Sequence, residues 1–157
     1  MPVDLAEELP VESVVTGAHA ADWREALRLA GDGLVASGAT TSAYTDEMIA
    51  AVDELGPYIV IAPGLALAHS RPSPAVSRTG LSWVGLAEPV EFGHKTNDPV
   101  DLVIGLAALD HDGHIEVMSA LAGVLADEDG LAALRAAGSP DEVLRTLHAL
   151  SDAQNAS

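Results

Sequence analysis

The chain has 157 residues, 48% of them hydrophobic, which suits a single domain over residues 1–157 with a core over about 10–150. A net charge of −17 repels phosphodiester backbones and anionic lipid surfaces, so we expect binding of neither nucleic acid nor a membrane surface. The chain contains no cysteine, which excludes disulfides, cysteine-ligated metal centres and a cysteine nucleophile.

Two further features of the sequence bear on fold class and location. Aromatic residues make up only 3% of the chain, and alanine, valine and leucine dominate its apolar content, which favours an α/β layer fold. The first residues are acidic rather than basic, and no stretch reaches the ~18 apolar residues of a membrane span. We therefore expect a cytoplasmic protein that does not insert into the membrane.

The first part of the chain predicts one strand and two helices. A β-branched run over residues 11–15 predicts a short strand. The first helix runs from Asp22, its predicted N-cap, to Gly38, because four apolar residues repeat on one face: Trp23, Leu27, Ala30 and Leu34. The second helix opens with residues 45–48, whose acidic side chains are favoured in a first turn, and Gly56-Pro57 ends it.

Residues 58–74 combine a predicted strand with a predicted irregular segment. The apolar run over residues 58–61 lies between Pro57 and Pro63 and predicts a buried strand. Residues 62–74 contain three prolines and a glycine, so we predict irregular backbone, although the middle of this segment is apolar. Buried irregular backbone often marks a functional site.

The rest of the chain predicts two strands and three helices. The strands cover residues 81–86 and 102–109. A helix begins near Gly113 and runs to Leu125, and a short helix carries Leu131. In the last helix, Pro140 takes the first helical position, where its missing N–H costs nothing.

His69 is the first candidate for chemistry, because a Walker-type phosphate loop is absent and six histidines stand out instead. It lies in the irregular segment, where a neutral imidazole can attack an electrophile. The neighbouring Ser70 and Arg71 can hold an anionic group beside it. The alternative is a histidine that closes the loop by hydrogen bonds to backbone carbonyls.

His114 is the second candidate, because it lies near a predicted helix N-terminus, where free N–H groups favour an anion such as phosphate. The alternative is a residue exposed to water. The run of Asp and His from Asp110 to His114 also offers metal ligands, but its spacing fits neither an EF-hand loop nor a zincin. We expect a polar turn there, with no metal and no cofactor.

Three separated motifs resemble a known family. They comprise residues 56–72, which read GPYIVIAPGLALAHSRP, then Phe92-Gly93 with residues 97–108, and finally His114-Ile115 with Leu121-Ala122. Over about residues 10–150 the chain resembles the enzyme IIA component of the phosphoenolpyruvate:sugar phosphotransferase system, mannitol/fructose class. The start of the first motif and its His-x-Arg-Pro continuation resemble the ascorbate branch more than the mannitol or fructose branches.

The resemblance implies a fold and a function. The fold is a three-layer α/β sandwich whose mixed, mostly parallel sheet is flanked by helices on both sides. His69 would accept a phosphoryl group from HPr and pass it to a cysteine of enzyme IIB, which serves uptake of an ascorbate-like sugar. His114 would be the second active-site histidine, with Ser70 and Arg71 binding the phosphoryl group. A homodimer is left open.

Two departures from the family pattern leave an alternative. Many relatives have proline where this chain has Ala68, and mannitol-type members have an arginine in the helix before the motif, which is absent here. Arg71 would then supply the missing charge. The alternative function is a regulatory module of the same fold, whose phosphorylation state controls a partner protein rather than transport.

Overall fold

A mixed sheet lies between two helical layers in the computed structural model of the chain, which describes residues 5–155. A 3-10 turn over Val11–Ser13 precedes the first strand. The elements that follow in these residues are β1 (Val14–Ala18), α1 (Trp23–Ala36), α2 (Ser42–Leu55), β2 (Val60–Ala62), β3 (Leu65–Ala68), β4 (Gly80–Val90), β5 (Val100–Ala107), α3 (His111–Leu125), α4 (Glu128–Ala136) and α5 (Pro140–Asn155).

The strands of the described chain are ordered β1-β4-β5-β3-β2. β1 pairs with β4 and β3 with β5 in parallel, whereas β4 with β5 and β2 with β3 are antiparallel. The predicted α/β class and mixed sheet are confirmed, but the expectation of a mostly parallel sheet is wrong. The connections from β2 to β3 and from β4 to β5 are too short for the crossover that a parallel pair needs.

Side chains alternate between the two faces of the sheet and build a core on each. On β3, Leu65 and Leu67 belong to the cluster under α3, α4 and α5, and Ala66 and Ala68 belong to the cluster under α1 and α2. All four residues are buried, since a strand covered on both faces has no solvent-facing side. The predicted helices on both sides of the sheet are therefore confirmed.

The first helix follows its prediction, while its neighbours differ at their ends. Asp22 caps α1 by accepting a hydrogen bond from the N–H of Glu25 at 2.9 Å. On the predicted apolar face, Leu27, Ala30 and Leu34 are buried and Trp23 is half-buried. The strand predicted over residues 11–15 begins only at Val14, because the preceding residues form the 3-10 turn. The predicted start of α2 is also wrong: the helix begins at Ser42, so its acidic residues follow the first turn.

The prediction for residues 58–74 is wrong in its middle. The segment expected to be irregular contains β3, which pairs with β5 inside the sheet, and the strand expected over residues 58–61 is the three-residue β2. A two-residue turn, Pro63-Gly64, joins the two strands. Gly64 has a φ of 74°, a conformation that a residue with a Cβ rarely adopts. Irregular backbone begins only after Ala68.

Later elements are present where they were predicted, with shifted ends. β4 starts one residue earlier and extends to Val90, and β5 covers residues 100–107 rather than 102–109. α3 begins at His111 rather than near Gly113, and α4 already begins at Glu128. Pro140 is the first residue of α5, as predicted. Among the helices within residues 5–155, none is long and apolar enough to span a membrane.

Candidate active site

The parallel pair β3 and β5 brings the two candidate histidines together. Ala68 at the end of β3 lies beside Gly105 of β5, so the segments after both strands leave the same edge of the sheet. One of these segments carries His69 and the other leads into α3. Asp110 caps α3 by accepting a hydrogen bond from the N–H of Gly113 at 2.7 Å, which places His114 in the first helical turn. The ring centroids of the two histidines are 5.5 Å apart.

The ring of His69 is oriented by its own strand. Its Nδ1 lies 2.8 Å from the carbonyl oxygen of Leu67. A carbonyl can only accept a hydrogen bond, so Nδ1 carries the proton, and Nε2 of the neutral ring keeps its lone pair. The two alternatives for this residue are therefore compatible, because a backbone hydrogen bond at one nitrogen does not occupy the other.

Two tyrosine hydroxyls hold the backbone around His69. Tyr58 donates a hydrogen bond to the carbonyl oxygen of His69 at 3.2 Å, and its ring meets the imidazole edge-on at 5.6 Å between centroids. The hydroxyl of Tyr44 lies 2.9 Å from the N–H of Ser70 and 2.9 Å from the carbonyl oxygen of Leu106. Sequence reasoning missed both hydroxyls; the signal for them is that a buried tyrosine needs a partner for its hydroxyl.

All four predicted site residues line one open cleft between α2 and the start of α3. Arg71 is exposed there, and it is the only lysine or arginine among the described residues that line the cleft. Burial raises the pKa of Tyr58, and the positive charge of Arg71 opposes that rise. The residues lining the cleft are Glu47, Ala50, Ala51, Glu54, Leu55, Tyr58, His69, Ser70, Arg71, Pro72, His111 and His114.

The environment of His114 favours its neutral form. Burial lowers the pKa of His114 below its ordinary value, and positive charge on His69 and then on His111 lowers it further. A neutral imidazole offers one N–H donor and one acceptor. His114 can therefore donate a hydrogen bond to an anion held near His69.

The metal alternative for the segment from Asp110 to His114 gains no support. The carboxylate of Asp110 accepts the N–H of Gly113 and so caps the helix. Over residues 5–155, no three His, Asp or Glu side chains are grouped so that they could hold a metal ion. His111, to which sequence reasoning gave no role of its own, lines the cleft beside His114.

Comparison with known proteins identifies the family. The family model for the phosphoenolpyruvate-dependent sugar phosphotransferase system, EIIA 2, matches residues 8–149. The ascorbate-specific PTS system EIIA component of Escherichia coli (strain K12) is 41% identical to the chain over 134 residues, which cover 85% of this chain and 87% of that protein.

Two solved structures from Escherichia coli share the fold. The mannitol-specific cryptic phosphotransferase enzyme IIA is 30% identical with a TM-score of 0.83, covering 94% of this chain and 99% of that one. The complex of enzyme IIAMtl and phosphorylated enzyme IIBMtl contains a chain that is 32% identical with a TM-score of 0.77, covering 89% and 96%. The resemblance is thereby confirmed: the chain belongs to the EIIA 2 family of the phosphoenolpyruvate-dependent sugar phosphotransferase system.

Proposed function

We propose that the chain is a phosphocarrier that takes a phosphoryl group from phospho-HPr on Nε2 of His69 and passes it to a cysteine of an enzyme IIB. The observation that carries the proposal is the 2.8 Å contact between Nδ1 of His69 and the carbonyl oxygen of Leu67. That contact assigns the proton to one nitrogen and leaves the other as a nucleophile at an open cleft.

The transfer needs no proton to leave the site. As Nε2 bonds to phosphorus, the P–N bond of the donor histidine breaks and its electron pair stays on the donor. The proton on Nδ1 of His69 remains, and the positive charge of the phosphorylated ring is stabilised by the carbonyl oxygen of Leu67. In the second step a cysteine thiolate attacks phosphorus, and the P–Nε2 bond returns its electrons to His69.

The other site residues hold the phosphoryl oxygens in this proposal. Arg71 offers two parallel N–H donors, which match two oxygens of a phosphoryl group. α2 contains no lysine or arginine, so Arg71 takes the place of the arginine that mannitol-type relatives carry there. Ser70 and His114 add hydrogen-bond donors near His69, since all of them line the same cleft.

The relatives suggest the partner and the substrate class. The Escherichia coli mannitol protein is seen in complex with phosphorylated enzyme IIB. A relative that is 41% identical carries an ascorbate-specific name. We therefore assign an enzyme IIB partner and an ascorbate-like sugar as the substrate of the transport system.

Labelling with phosphoenolpyruvate, enzyme I and HPr tests the acceptor. The wild-type chain should gain an adduct that is labile in acid and stable in base, and His69→Gln should gain none. His19→Gln is the matched control, because His19 is exposed and lies outside the cleft. Undiminished labelling of His69→Gln would refute the assignment of His69.

Addition of purified enzyme IIB to the labelled chain tests the second step. We expect the label to move to the enzyme IIB cysteine within the same reaction. Label that stays on the chain, with the acceptor variant still unlabelled, would contradict transport and favour the regulatory alternative.

A further inference from the structure

We propose that the hydroxyl of Tyr44 is a positioning group for transfer at His69, an inference that rests on the phosphocarrier function proposed above. Tyr44 lies on α2 and is only 1% exposed. Its hydroxyl oxygen lies 2.9 Å from the N–H of Ser70, 2.9 Å from the carbonyl oxygen of Leu106 and 3.1 Å from the carbonyl oxygen of Ser70. Tyr44 itself contributes nothing to the lining of the cleft.

One hydroxyl therefore connects the two segments that carry the histidines. A tyrosine hydroxyl donates one proton and also accepts. The N–H of Ser70 occupies its acceptor side, and its proton goes to the carbonyl oxygen of Leu106 or of Ser70. Ser70 follows His69 directly, and Leu106 lies on β5, which leads into α3 and His114. The hydroxyl thus sets the loop of one histidine against the strand that positions the other.

Burial makes this link difficult to replace. The second hydroxyl on the loop, that of Tyr58, belongs to a side chain that is 40% exposed, so water or a bound partner can compete for its bond. Water has no such access to the buried Tyr44. Loss of its hydroxyl would remove one hydrogen-bond partner from the N–H of Ser70 and one from the carbonyl oxygen of Leu106. The residue before His69 does not stiffen the loop either, because Ala68 lacks the ring with which the proline of many relatives fixes φ.

The Tyr44 hydroxyl also keeps its proton over the whole working range. Burial raises the pKa of Tyr44 to about 12, and the N–H of Ser70 only partly offsets that rise. The donor side of the link is therefore present at neutral pH.

Tyr44→Phe tests the proposal because it keeps the ring and removes only the hydroxyl. In single-turnover phosphorylation by phospho-HPr, we expect transfer to slow by about 10- to 100-fold, the effect of a small misplacement of a reacting group. In ¹⁵N spectra of the unphosphorylated chain, the His69 nitrogens should move from a single tautomer, protonated at Nδ1, toward the average of two tautomers.

Ser13→Ala is the matched control. Ser13 is fully buried, its hydroxyl donates to the carbonyl oxygen of Gly33 at 2.6 Å, and it lies outside the cleft lining. It should lose stability as Tyr44→Phe does, yet keep wild-type transfer and the wild-type His69 tautomer. A Tyr44→Phe chain that matches Ser13→Ala in both measurements would overturn the proposal.

Two further results separate this proposal from the function on which it rests. If wild type takes no label from phospho-HPr, the phosphocarrier function fails, while the tautomer of His69 still reports on the link. If Tyr44→Phe does not fold, hydrogen exchange at the Ser70 amide of wild type decides. Strong protection of that amide supports the link, and exchange as fast as in an unstructured peptide overturns it.

Discussion

Two loops at opposite ends of the sheet each contain a histidine and use it differently. Residues 91–99 join β4 to β5, and five of their backbone N–H groups donate to side chains of the same loop. There, Nδ1 of His94 accepts the N–H groups of Thr96 at 3.2 Å and Asn97 at 3.0 Å. The carboxylate of Asp98 accepts three more N–H groups, those of Phe92, Gly93 and His94.

The loop after β3 is held largely by groups outside it. Tyr44 and Tyr58 bind its backbone, and Glu47 of α2 accepts a hydrogen bond from Ser73 at 3.1 Å. Nδ1 of His69 donates to a carbonyl rather than accepting, so Nε2 stays available at the cleft. Under the proposed function, the difference explains how the fold would keep the imidazole reactive: the loop is held by groups outside it, and the ring makes only one of its two possible hydrogen bonds to the loop backbone.

His114→Ala should give the largest effect on transfer, because His114 lies beside His69 and, in the proposed mechanism, donates a hydrogen bond to the phosphoryl group. We expect the variant to be phosphorylated by phospho-HPr but to donate to enzyme IIB more slowly by about 10²- to 10⁴-fold, the usual contribution of such assistance. Rapid-quench single-turnover assays measure both steps. Unchanged donation to enzyme IIB would reduce His114 to a structural residue.

Asp98→Ala should disturb the other loop and only that loop. The carboxylate accepts three backbone N–H groups, and a buried hydrogen bond to a charged group contributes about 1.5–3 kcal/mol. Because Asp98 and His94 are half-buried and Gly93 is exposed, water replaces part of this bonding, and we expect a loss of only about 2–3 kcal/mol in the free energy of unfolding. Urea denaturation measures this loss, and Asp98→Asn, which keeps one acceptor oxygen, should lose less.

The transfer rates complete that test. Asp98 lies at the opposite end of the sheet from His69, so the Asp98→Ala chain should exchange phosphoryl groups at the wild-type rate while it is folded. Slower transfer at unchanged stability would show that the two loops do not act independently.

Arg71→Lys should have a smaller effect on the reactive loop. The change keeps the charge but loses the planar pair of donors, and loss of one charge-assisted hydrogen bond of about 1.5 kcal/mol corresponds to roughly a tenfold slower transfer. We expect both phosphorylation by HPr and donation to enzyme IIB to slow. Arg28→Lys on α1, outside the cleft, serves as the control. Lower thermal stability with normal transfer would assign Arg71 to the scaffold.

Periodic elements could be predicted from the sequence, and elements that depend on distant pairing could not. The face of α1 with Leu27, Ala30 and Leu34 follows from spacing alone, and its cap follows from the position of Asp22. β3 could not be predicted, because Pro63-Gly64 is as typical of the start of an irregular segment as of the tight turn between two strands that it forms here. Only the pairing of β3 with β5 decides that residues 65–68 are extended.

The candidate site divides in the same way. His69, Ser70, Arg71 and His114 could be named from the sequence, because their chemistry and the family motifs point to them. That His69 and His114 lie together depends on the register of β3 with β5. The role proposed for Tyr44 depends on how α2 packs against the end of β5, where the Tyr44 hydroxyl reaches Leu106. Such contacts are set by tertiary packing, and no local pattern of residues encodes them.

The smallest effect we expect is a shift in the titration of His114. Burial and the charges of His69 and His111 lower its pKa from the ordinary 6.5. The unfolded chain therefore binds the proton more readily. The stability that neutral His114 contributes is complete above pH 6.5 and is lost as pH falls from there through the lower, folded pKa.

NMR titration of His114 in wild type and in His69→Gln measures this coupling between the two rings. Removing the His69 charge should raise the pKa of His114, whereas burial, the larger cause, should still hold it below its ordinary value. A His114 pKa that does not respond to His69→Gln would mean that the rings titrate independently, despite centroids 5.5 Å apart. If the coupling holds, His114 stays neutral near pH 7 as a hydrogen-bond donor, and in the proposed mechanism Arg71 is then the side chain that supplies permanent positive charge to the phosphoryl group.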